Sequence, residues 1–364
     1  MKILTRTLCL VTAVSLLACG GSGGGSSGAA ADSTTSAGLS VSVETFDAGI
    51  SGSESKWWGG VLGPDNKIYG IPYGSDEILI IDPATNTATQ STMGVNLSGA
   101  SKWASGCLGP DGKIYCVPYN SPDVLIIDPL AETAVRTDFG LNLTDAAKWA
   151  GAVLGQDNKI YCIPRDSTNI LIIDPINGIA TRDTMGASLA GSHKWNGGIL
   201  AANGKIYGVP RNAINMLIID PASGTASRSN MGAPLTSIHK YAGGILAPNG
   251  KIYAIPYSDS PAILIIDPVT NTASLSTMGA NLSGSGWSEA ILGPDNKIYT
   301  VPYTAGDILI IDPAANTASR IQIEGVGETS PGKWVMGDIV NNEFYGIPYG
   351  ATDIIHVEIV PTAN

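Results

Sequence analysis

The sequence has 364 residues, only 14% of them charged, and a formal net charge of −11 at pH 7. A nucleic-acid-binding surface must be positive to neutralise phosphates, so the acidic balance argues against nucleic acid as a partner. The length is large for one domain, but a fold that grows by adding repeated units accommodates it without a second domain.

Residues 1–19 are predicted to be a targeting segment. Lys2 and Arg6 provide a positive start, residues 8–17 are apolar, and Leu16-Leu17-Ala18-Cys19 provides a cleavage site. This site resembles the lipobox of bacterial lipoproteins, which implies cleavage before Cys19, acylation of that cysteine and attachment to a lipid bilayer. An ordinary secretory peptide is the alternative.

Residues 20–38 are almost all Gly, Ser, Ala and Thr, which predicts a flexible linker. In lipoproteins of this kind an aspartate after the cysteine favours retention in the inner membrane. Here that residue is Gly20, so the resemblance implies the outer membrane, facing the periplasm or the exterior. No later segment is long and apolar enough to span a bilayer. Residues 39–364 are predicted to form one domain.

That domain is a sevenfold repeat. The tyrosine of a K-I-Y core, or of F-Y in the last copy, recurs at Tyr69, Tyr115, Tyr161, Tyr207, Tyr253, Tyr299 and Tyr345. A fixed period in this range indicates a repeat architecture.

Each repeat contains four extended segments and no helical apolar period. In the first repeat these are residues 57–62, 67–73, 77–81 and 87–93, separated by the turn sequences G-P-D-N and D-P-A-T-N. Four strands in about 46 residues are typical of a β-propeller blade. A parallel β-helix would need much shorter coils. The prediction is all-β, a seven-bladed propeller.

The two ends of the domain complement each other. The seventh repeat supplies only three strands, at residues 333–339, 343–349 and 353–360, whereas Val41–Asp47 aligns with a fourth strand. We expect this N-terminal strand to complete the last blade, which closes the ring and removes exposed strand edges.

Outside the targeting segment there are three cysteines, Cys107, Cys116 and Cys162, so at least one is unpaired. A three-residue turn in G-P-D-G-K would place Cys107 opposite Tyr115. A two-residue turn would instead place it opposite Cys116, where a disulfide could form. Three free thiols are the preferred interpretation, and the spacing fits no zinc site.

The repeats place an aromatic residue at the start of every innermost strand, with a lysine before all but one. The aromatic residues are Trp57, Trp103, Trp149, Trp195, Tyr241, Trp287 and Trp334, which leaves Trp58 outside the set. The lysines are Lys56, Lys102, Lys148, Lys194, Lys240 and Lys333. The second strands end in Tyr73, Tyr119, Arg165, Arg211, Tyr257, Tyr303 and Tyr349.

Two interpretations of these rings are compatible if the rings are only partly covered. With a three-residue turn, Trp57 lies across from Tyr73, and Trp149 across from Arg165, so each pair could be a cross-strand stack that fixes blade register. Alternatively, the indoles, phenols and lysines form a platform for a sugar-containing or anionic ligand.

Departures from the repeat indicate where a specific site could lie. Arg165 and Arg211 replace tyrosine, His193 and His239 precede their lysines, and Tyr241 replaces tryptophan. Such a patch could hold an anion, or the histidines could simply be solvated loop residues. No metal site or cofactor is predicted.

Two acidic residues also depart from the repeat, Glu289 and Asp338, both on innermost strands. Facing the channel, they could bind a cation or act as acid and base; solvation by channel water is the alternative. Serine-hydrolase, metalloprotease and phosphate-loop motifs are absent from the sequence, so no catalytic residue is assigned.

The pattern K-I-Y-x-[IV]-P-Y followed by I-L-I-I-D-P-x-T-N-T is similar to the repeats of YVTN-type and NHL-like bacterial propellers. The resemblance spans residues 41–360 and implies a propeller. Relatives of this shape include cell-surface binding proteins, lactonases and streptogramin-type lyases, and no residue of their sites can be matched here.

The sequence therefore favours a lipid-anchored binding or interaction module, which presents the Lys–Trp and Tyr/Arg rings to a glycan, an anionic ligand or a protein. One alternative is a periplasmic lyase or lactonase using His193, His239, Glu289 or Asp338 at the channel mouth. Another is a structural spacer, in which every aromatic ring would be buried between blades.

Overall fold

The computed structural model describes residues 33–36, 39–47, 49–50, 55–258, 260–283, 286–323 and 332–361. For 33–36, 39–44, 47, 336, 360 and 361 only the backbone is described. The predicted targeting segment, including Cys19, lies outside these residues. The described residues contain strands and no helix, and hence no helix that could cross a membrane.

The strands form seven sheets arranged as a seven-bladed β-propeller, as the repeat predicts. The innermost strands are β3 (Trp57–Leu62), β7 (Trp103–Leu108), β11 (Trp149–Leu154), β15 (Trp195–Leu200), β19 (Tyr241–Leu246), β23 (Trp287–Leu292) and β27 (Trp334–Val340). The second strands are β4 (Ile68–Pro72), β8 (Ile114–Pro118), β12 (Ile160–Pro164), β16 (Ile206–Pro210), β20 (Ile252–Pro256), β24 (Ile298–Pro302) and β28 (Glu343–Pro348).

The third strands are β5 (Ile78–Asp82), β9 (Val124–Asp128), β13 (Ile170–Asp174), β17 (Met216–Asp220), β21 (Ile263–Asp267), β25 (Asp307–Asp312) and β29 (Asp353–Pro361). The outermost strands of blades one to six are β6 (Thr87–Ser91), β10 (Thr133–Thr137), β14 (Ile179–Asp183), β18 (Thr225–Ser229), β22 (Thr272–Ser276) and β26 (Thr317–Gln322).

The N-terminal strand completes the seventh blade. β2 (Leu39–Asp47) pairs antiparallel with β29 over its whole length, from Leu39 opposite Pro361 to Asp47 opposite Asp353. This confirms the predicted ring closure. A further strand, β1 (Ser33–Ser36), pairs with the outer side of β2, although these residues belong to the predicted linker. Their Ser-Thr-Thr-Ser sequence has moderate β-propensity, and pairing covers the edge that β2 would otherwise expose.

The hydrophobic core lies between the blades. Each cluster of buried residues joins two neighbouring blades, for example Ile71 and Ile78 of blade one with Trp103 and Leu125 of blade two. The second and third strands are covered on both faces, which explains their continuous runs of Ile, Leu and Val. Blade register is therefore set by inter-blade packing as well as by hydrogen bonds.

The turn between the first two strands has three residues. In blade two, the Gly109 amide donates to the Lys113 carbonyl at 2.8 Å, and Cys107 lies opposite Tyr115. Cys107, Cys116 and Cys162 are all free, as preferred from the sequence. Burial raises the pKa of the Cys107 thiol to about 12, so it is protonated and unreactive at neutral pH.

The recurrent tyrosine and aspartate of the repeat both stabilise turns. The Tyr69 hydroxyl donates to Asp65 at 2.8 Å, and the same bond recurs between Tyr115 and Asp111. Asp82 accepts from the Ala84 amide at 2.9 Å, as expected for an Asx turn. These conserved features of the repeat are structural, so a specific site must come from residues that depart from it.

Candidate functional site

A β-bulge at the start of each innermost strand decides which side chains reach the central channel. In blade one, Gly60 lies opposite Gly70, but Trp57 lies opposite Pro72, because the inner strand has one extra residue between these pairs. Gly59 has a φ of +88° there, a conformation that glycine adopts without strain. The predicted pairing of Trp57 with Tyr73, and of Trp149 with Arg165, is therefore wrong by one residue.

The bulge turns the first aromatic residue of each strand into the blade. The seven aromatic residues have exposed fractions of 0–2%. Each indole nitrogen donates to a backbone carbonyl at the start of the third strand; Trp57, for example, donates to Glu77 at 2.7 Å. An arginine from the fourth strand lies over four of these rings. The Arg320 guanidinium, for example, is 5.4 Å from the centre of the Trp287 ring. The predicted Trp–Arg stacks exist, but with different arginines.

The lysines before these aromatic residues are also buried. Lys148 is 0% exposed, and its ammonium donates to the backbone carbonyls of Tyr119, Ser121 and Asp145 at 2.5–3.1 Å. Lys194 makes the equivalent three bonds. These ammonium groups tie the loops of neighbouring blades together. In this arrangement neither the lysines nor the six buried tryptophans face solution, where a ligand could contact them.

The ends of the second strands meet in a ring around the channel mouth, with one side chain from each blade. We call this the channel-mouth ring; it consists of Tyr73, Tyr119, Arg165, Arg211, Tyr257, Tyr303 and Tyr349. The five tyrosines contact one another at centroid distances of 5.5–6.2 Å. Arg165 stacks on Tyr119 and donates a hydrogen bond to its hydroxyl, and Arg211 stacks on Tyr257 at 4.8 Å.

Trp58 lies inside this ring. Its ring centre is 5.1 Å from Tyr73, 5.5 Å from Tyr349 and 6.5 Å from Tyr119. It is half-buried, whereas the other six tryptophans are buried. Sequence reasoning excluded Trp58 from the aromatic set. The available signal was that the other blades place Ala, Asn, Ser or Val at its position, so an indole there breaks the repeat.

The arginines and histidines of the predicted cationic patch lie close to one another in the structure. Burial lowers the pKa of His193, and its interactions with the nearby Arg165, Arg211 and His239 lower it further. The Asp166 carboxylate, 3.7 Å from His193, raises this pKa and so opposes the other effects. His193 and His239 have φ values of +50° and +46°, a conformation that histidine tolerates better than most residues. The lowered pKa leaves His193 mainly uncharged at neutral pH, whereas Arg165 and Arg211 carry positive charge.

Beneath the ring lies a narrow pocket at the top of the channel, which we call the Glu289 pocket. It encloses about 340 Å³ of space, partly open to solvent, and is lined by Trp58, Asn196, Arg211, Tyr257, Glu289 and Tyr303. Ala242 and Val335 form its apolar wall. Within this pocket there is room for about one water-sized group.

Glu289 faces this pocket with no hydrogen-bond or ion-pair partner among the described residues. Its side chain is half-buried, and burial raises the pKa of its carboxyl to about 8. Its Cγ lies 2.5 Å from where a Cβ on Gly243 would be. The neighbouring blade thus needs glycine to accommodate the Glu289 side chain.

Asn196 is a second polar group of this pocket and was not identified from the sequence. It is 3% exposed, and its amide nitrogen donates to the Ala242 carbonyl. Its Oδ1 has no hydrogen-bond partner within the described part of the chain. Three other blades have alanine at this position, so the asparagine departs from the repeat and could have been identified from the sequence.

Asp338 lies elsewhere. Its carboxylate accepts from the Leu62 amide of blade one at 3.0 Å and from the Ile339 amide at 2.9 Å. Burial raises its pKa, while these two bonds oppose the effect. The bond to Leu62 places Asp338 at the joint between the inner strands of blades seven and one.

No protein-family model and no curated protein matches the chain. The chain is similar in structure to virginiamycin B lyase from Staphylococcus aureus, an inactive variant solved with quinupristin. Their TM-score is 0.69 at 10% identity, over 88% of this chain and 100% of that one. A streptogramin B lyase gives a TM-score of 0.67 at 12% identity, over 88% of this chain and 98% of that one.

The extracellular domain of a protein from B. thetaiotaomicron, assigned as a one component system, gives a TM-score of 0.64 at 11% identity. The match covers 88% of this chain and 43% of that one. Identities this low establish a shared propeller fold and no correspondence between site residues. The fold implied by the YVTN and NHL resemblance is confirmed, and the family itself is not.

Proposed function

We propose that this protein is a binding module of the cell envelope, whose ligand docks on the channel-mouth ring and Trp58. The observation that carries the proposal is the convergence of seven aromatic or guanidinium side chains, one per blade, around an indole that only blade one supplies. Aromatic rings and arginines dominate the energy of binding surfaces, because they combine large apolar area with directed polar contacts.

The partial exposure of the ring supports binding over a purely structural role. A spacer would bury every aromatic ring between blades. Tyr119, Tyr257, Tyr303 and Tyr349 instead remain half-buried, as does Trp58. The arginines give one side of the ring a positive charge, which suits a ligand with a carboxylate or phosphate on a planar or sugar-like body.

Iodide quenching of tryptophan fluorescence tests this proposal. Because six of the seven tryptophans are buried, we expect the quenchable component to come from Trp58 and to disappear in Trp58→Phe. Cell-wall glycans and anionic polysaccharides should protect that component in the wild-type protein. Trp57→Phe, one residue away and buried, is the matched control and should leave it unchanged. Quenching of Trp58 that no bound ligand of any class reduces would contradict the proposal.

Attachment to the envelope is part of the proposal and depends on residues 16–19, whose sequence is that of a lipobox. Cys19→Ser should abolish incorporation of labelled palmitate and release the protein from the membrane fraction. A Cys9→Ser variant, which changes the other cysteine of this segment, should retain both properties. Equal labelling of the two variants would exclude acylation at Cys19.

One observation favours a second candidate, an enzyme of lyase or lactonase type at the channel mouth. Glu289 is an unpaired carboxyl with a pKa of about 8, so at neutral pH it carries a proton that it could donate to a leaving group. Turnover of a lactone or cyclic ester that disappears in Glu289→Gln, with binding retained, would establish it.

A further inference from the structure

The orientation of Asn196 determines what the Glu289 pocket offers a ligand. The Ala242 carbonyl can only accept a hydrogen bond, so the amide nitrogen of Asn196 must face it. The Oδ1 atom is left without a partner on a side chain that is 3% exposed. A buried acceptor without a donor is costly, so the site requires a hydrogen-bond donor from outside the protein.

Glu289 adds a second acceptor to the same narrow space. Its carboxyl has no hydrogen-bond or ion-pair partner in the described structure, and the pocket that it lines with Asn196 has room for about one water-sized group. Trp58, Tyr257 and Tyr303 surround this space with aromatic rings. Two oxygen acceptors within an aromatic wall are the environment that a primary ammonium group prefers, through hydrogen bonds and cation–π attraction.

Arg211 supplies the opposite charge at the rim of the pocket. Its guanidinium stacks on Tyr257, and its Nε is buried without a hydrogen-bond partner among the described residues. A carboxylate would satisfy that donor and pair with the charge. Oxygen acceptors and a guanidinium that line one pocket thus match a molecule with an ammonium at one end and a carboxylate at the other.

We propose that the channel mouth binds an amino-acid-like zwitterion, whose primary ammonium lies between Glu289 and Asn196 and whose carboxylate lies on Arg211. This inference rests on the proposed function, because it names the ligand class of the same site.

Ligand binding should release a proton. The charged side chain that lines the pocket with Glu289 is Arg211, and Tyr257 and Tyr303 line it with their phenol groups. The empty site keeps Glu289 protonated near neutral pH because burial raises its pKa. An ammonium beside the carboxyl favours its ionised form, so the proton passes to the buffer as the ion pair forms.

Isothermal titration calorimetry of the purified protein at pH 7 tests this inference. The probes are glycine, β-alanine, γ-aminobutyrate and 5-aminovalerate, each compared with the carboxylic acid that lacks the amine. Titrations in phosphate and in Tris, whose ionisation enthalpies differ, report proton release. We expect one chain length to bind best, the amine-free acids to bind at least about tenfold more weakly, and close to one proton to be released.

Substitutions identify the residues that are responsible for ligand binding and proton release. Glu289→Gln and Asn196→Ala should each weaken binding at least about tenfold, and Glu289→Gln should abolish proton release. Asp338→Asn changes the other inner-strand carboxylate, which lies outside the pocket, and should change neither. Gly243→Ala displaces the Glu289 side chain without removing it and should also weaken binding.

The outcomes separate the two proposals. If no zwitterion binds, or if binding ignores the amine and releases no proton, while a glycan still protects Trp58 from iodide, the zwitterion inference fails and the binding module stands. If nothing protects Trp58 and no probe binds, both fail. Amine-dependent, proton-releasing binding that Glu289→Gln abolishes supports both.

Discussion

At the scale of single residues, those that recur in most blades differ in role from those that occur in one blade only. Buried lysines recur in six blades, and the ammonium groups of Lys148 and Lys194 each donate to three backbone carbonyls. Trp58, Asn196 and Glu289 each occur in one blade only, and all three line the Glu289 pocket. A single ligand on a sevenfold scaffold must break the symmetry, so these unique residues are where specificity is expected.

Glu289 should make stability depend on pH. Its folded-state pKa of about 8 exceeds the usual 4.5, so the folded state holds the proton more tightly than the unfolded state. Its contribution is therefore fully present below pH 4.5 and is lost as pH rises through 8. We expect Glu289→Gln to match the wild type at pH 4.5 and to exceed it at pH 9, by on the order of 1–3 kcal/mol.

Urea unfolding at both pH values measures this difference. Glu132→Gln, which removes an exposed carboxyl, is the control and should leave the pH dependence unaltered. If the stability of Glu289→Gln falls between pH 4.5 and 9 as steeply as that of the wild type, the Glu289 carboxyl is not the group that titrates.

At the scale of strands, the bulge is the decisive element. One extra residue in each inner strand shifts the pairing and separates a buried aromatic residue from a channel-facing neighbour. The arginines of the fourth strands then cover the buried indoles from the outside. Through these cation–π contacts, the arginines connect the outermost strand of a blade to its innermost strand.

Two of these arginines form a matched pair for measuring what a buried charge contributes. Both Arg320 and Arg182 lie over a tryptophan, at 5.4 and 5.6 Å. Arg320 pairs at 2.5 Å with Asp307, whose side chain is 0% exposed, whereas the partner of Arg182, Asp145, is 66% exposed. Removing Arg320 leaves a carboxylate buried without its counter-charge.

We therefore expect Arg320→Leu to destabilise the protein by about 3–5 kcal/mol. Arg182→Leu should cost only about 1 kcal/mol, because water can solvate Asp145. Chemical denaturation of both variants gives the comparison. Equal losses would mean that stacking on the indole, which the two arginines share, dominates over the ion pair.

At the scale of the whole molecule, one contact closes the ring. β2 pairs with β29 over nine residues, and together they join residues near the two ends of the described chain. A closed propeller has no free inner edge, whereas a ring without β2 would expose the length of β29. We expect this pairing to limit the stability of the whole domain.

Two truncations test that expectation. Removal of residues 1–47 deletes β2 and should lower the melting temperature by on the order of 10 °C and promote aggregation through the exposed edge. Removal of residues 1–38 also deletes β1 but keeps β2, and should have little effect. Differential scanning calorimetry with light scattering distinguishes these results; similar melting of both truncated proteins would show that closure contributes little.

The architecture could be predicted from the sequence because it rests on local, repeated signals. The period, the turn residues around Asp65 and Asp82, and the apolar third strands each act within one repeat. Ring closure was also predictable, because the seventh repeat lacks the strand that residues 41–47 supply. The sequence left the length of the turn between the first two strands open, and the structure selects three residues and the Cys107–Tyr115 pairing.

The site depended on tertiary structure for a physical reason. Whether an inner strand contains a bulge cannot be read from a local pattern, yet one residue of register exchanges the buried and exposed faces of a strand. That exchange buried Trp57 and the lysines and brought Trp58 to the channel mouth. Likewise, the blades that place Asn196, Arg211 and Glu289 around one pocket meet only because the ring curves. By itself, the sequence determined the blades, whereas the closed ring determined which side chains share a site.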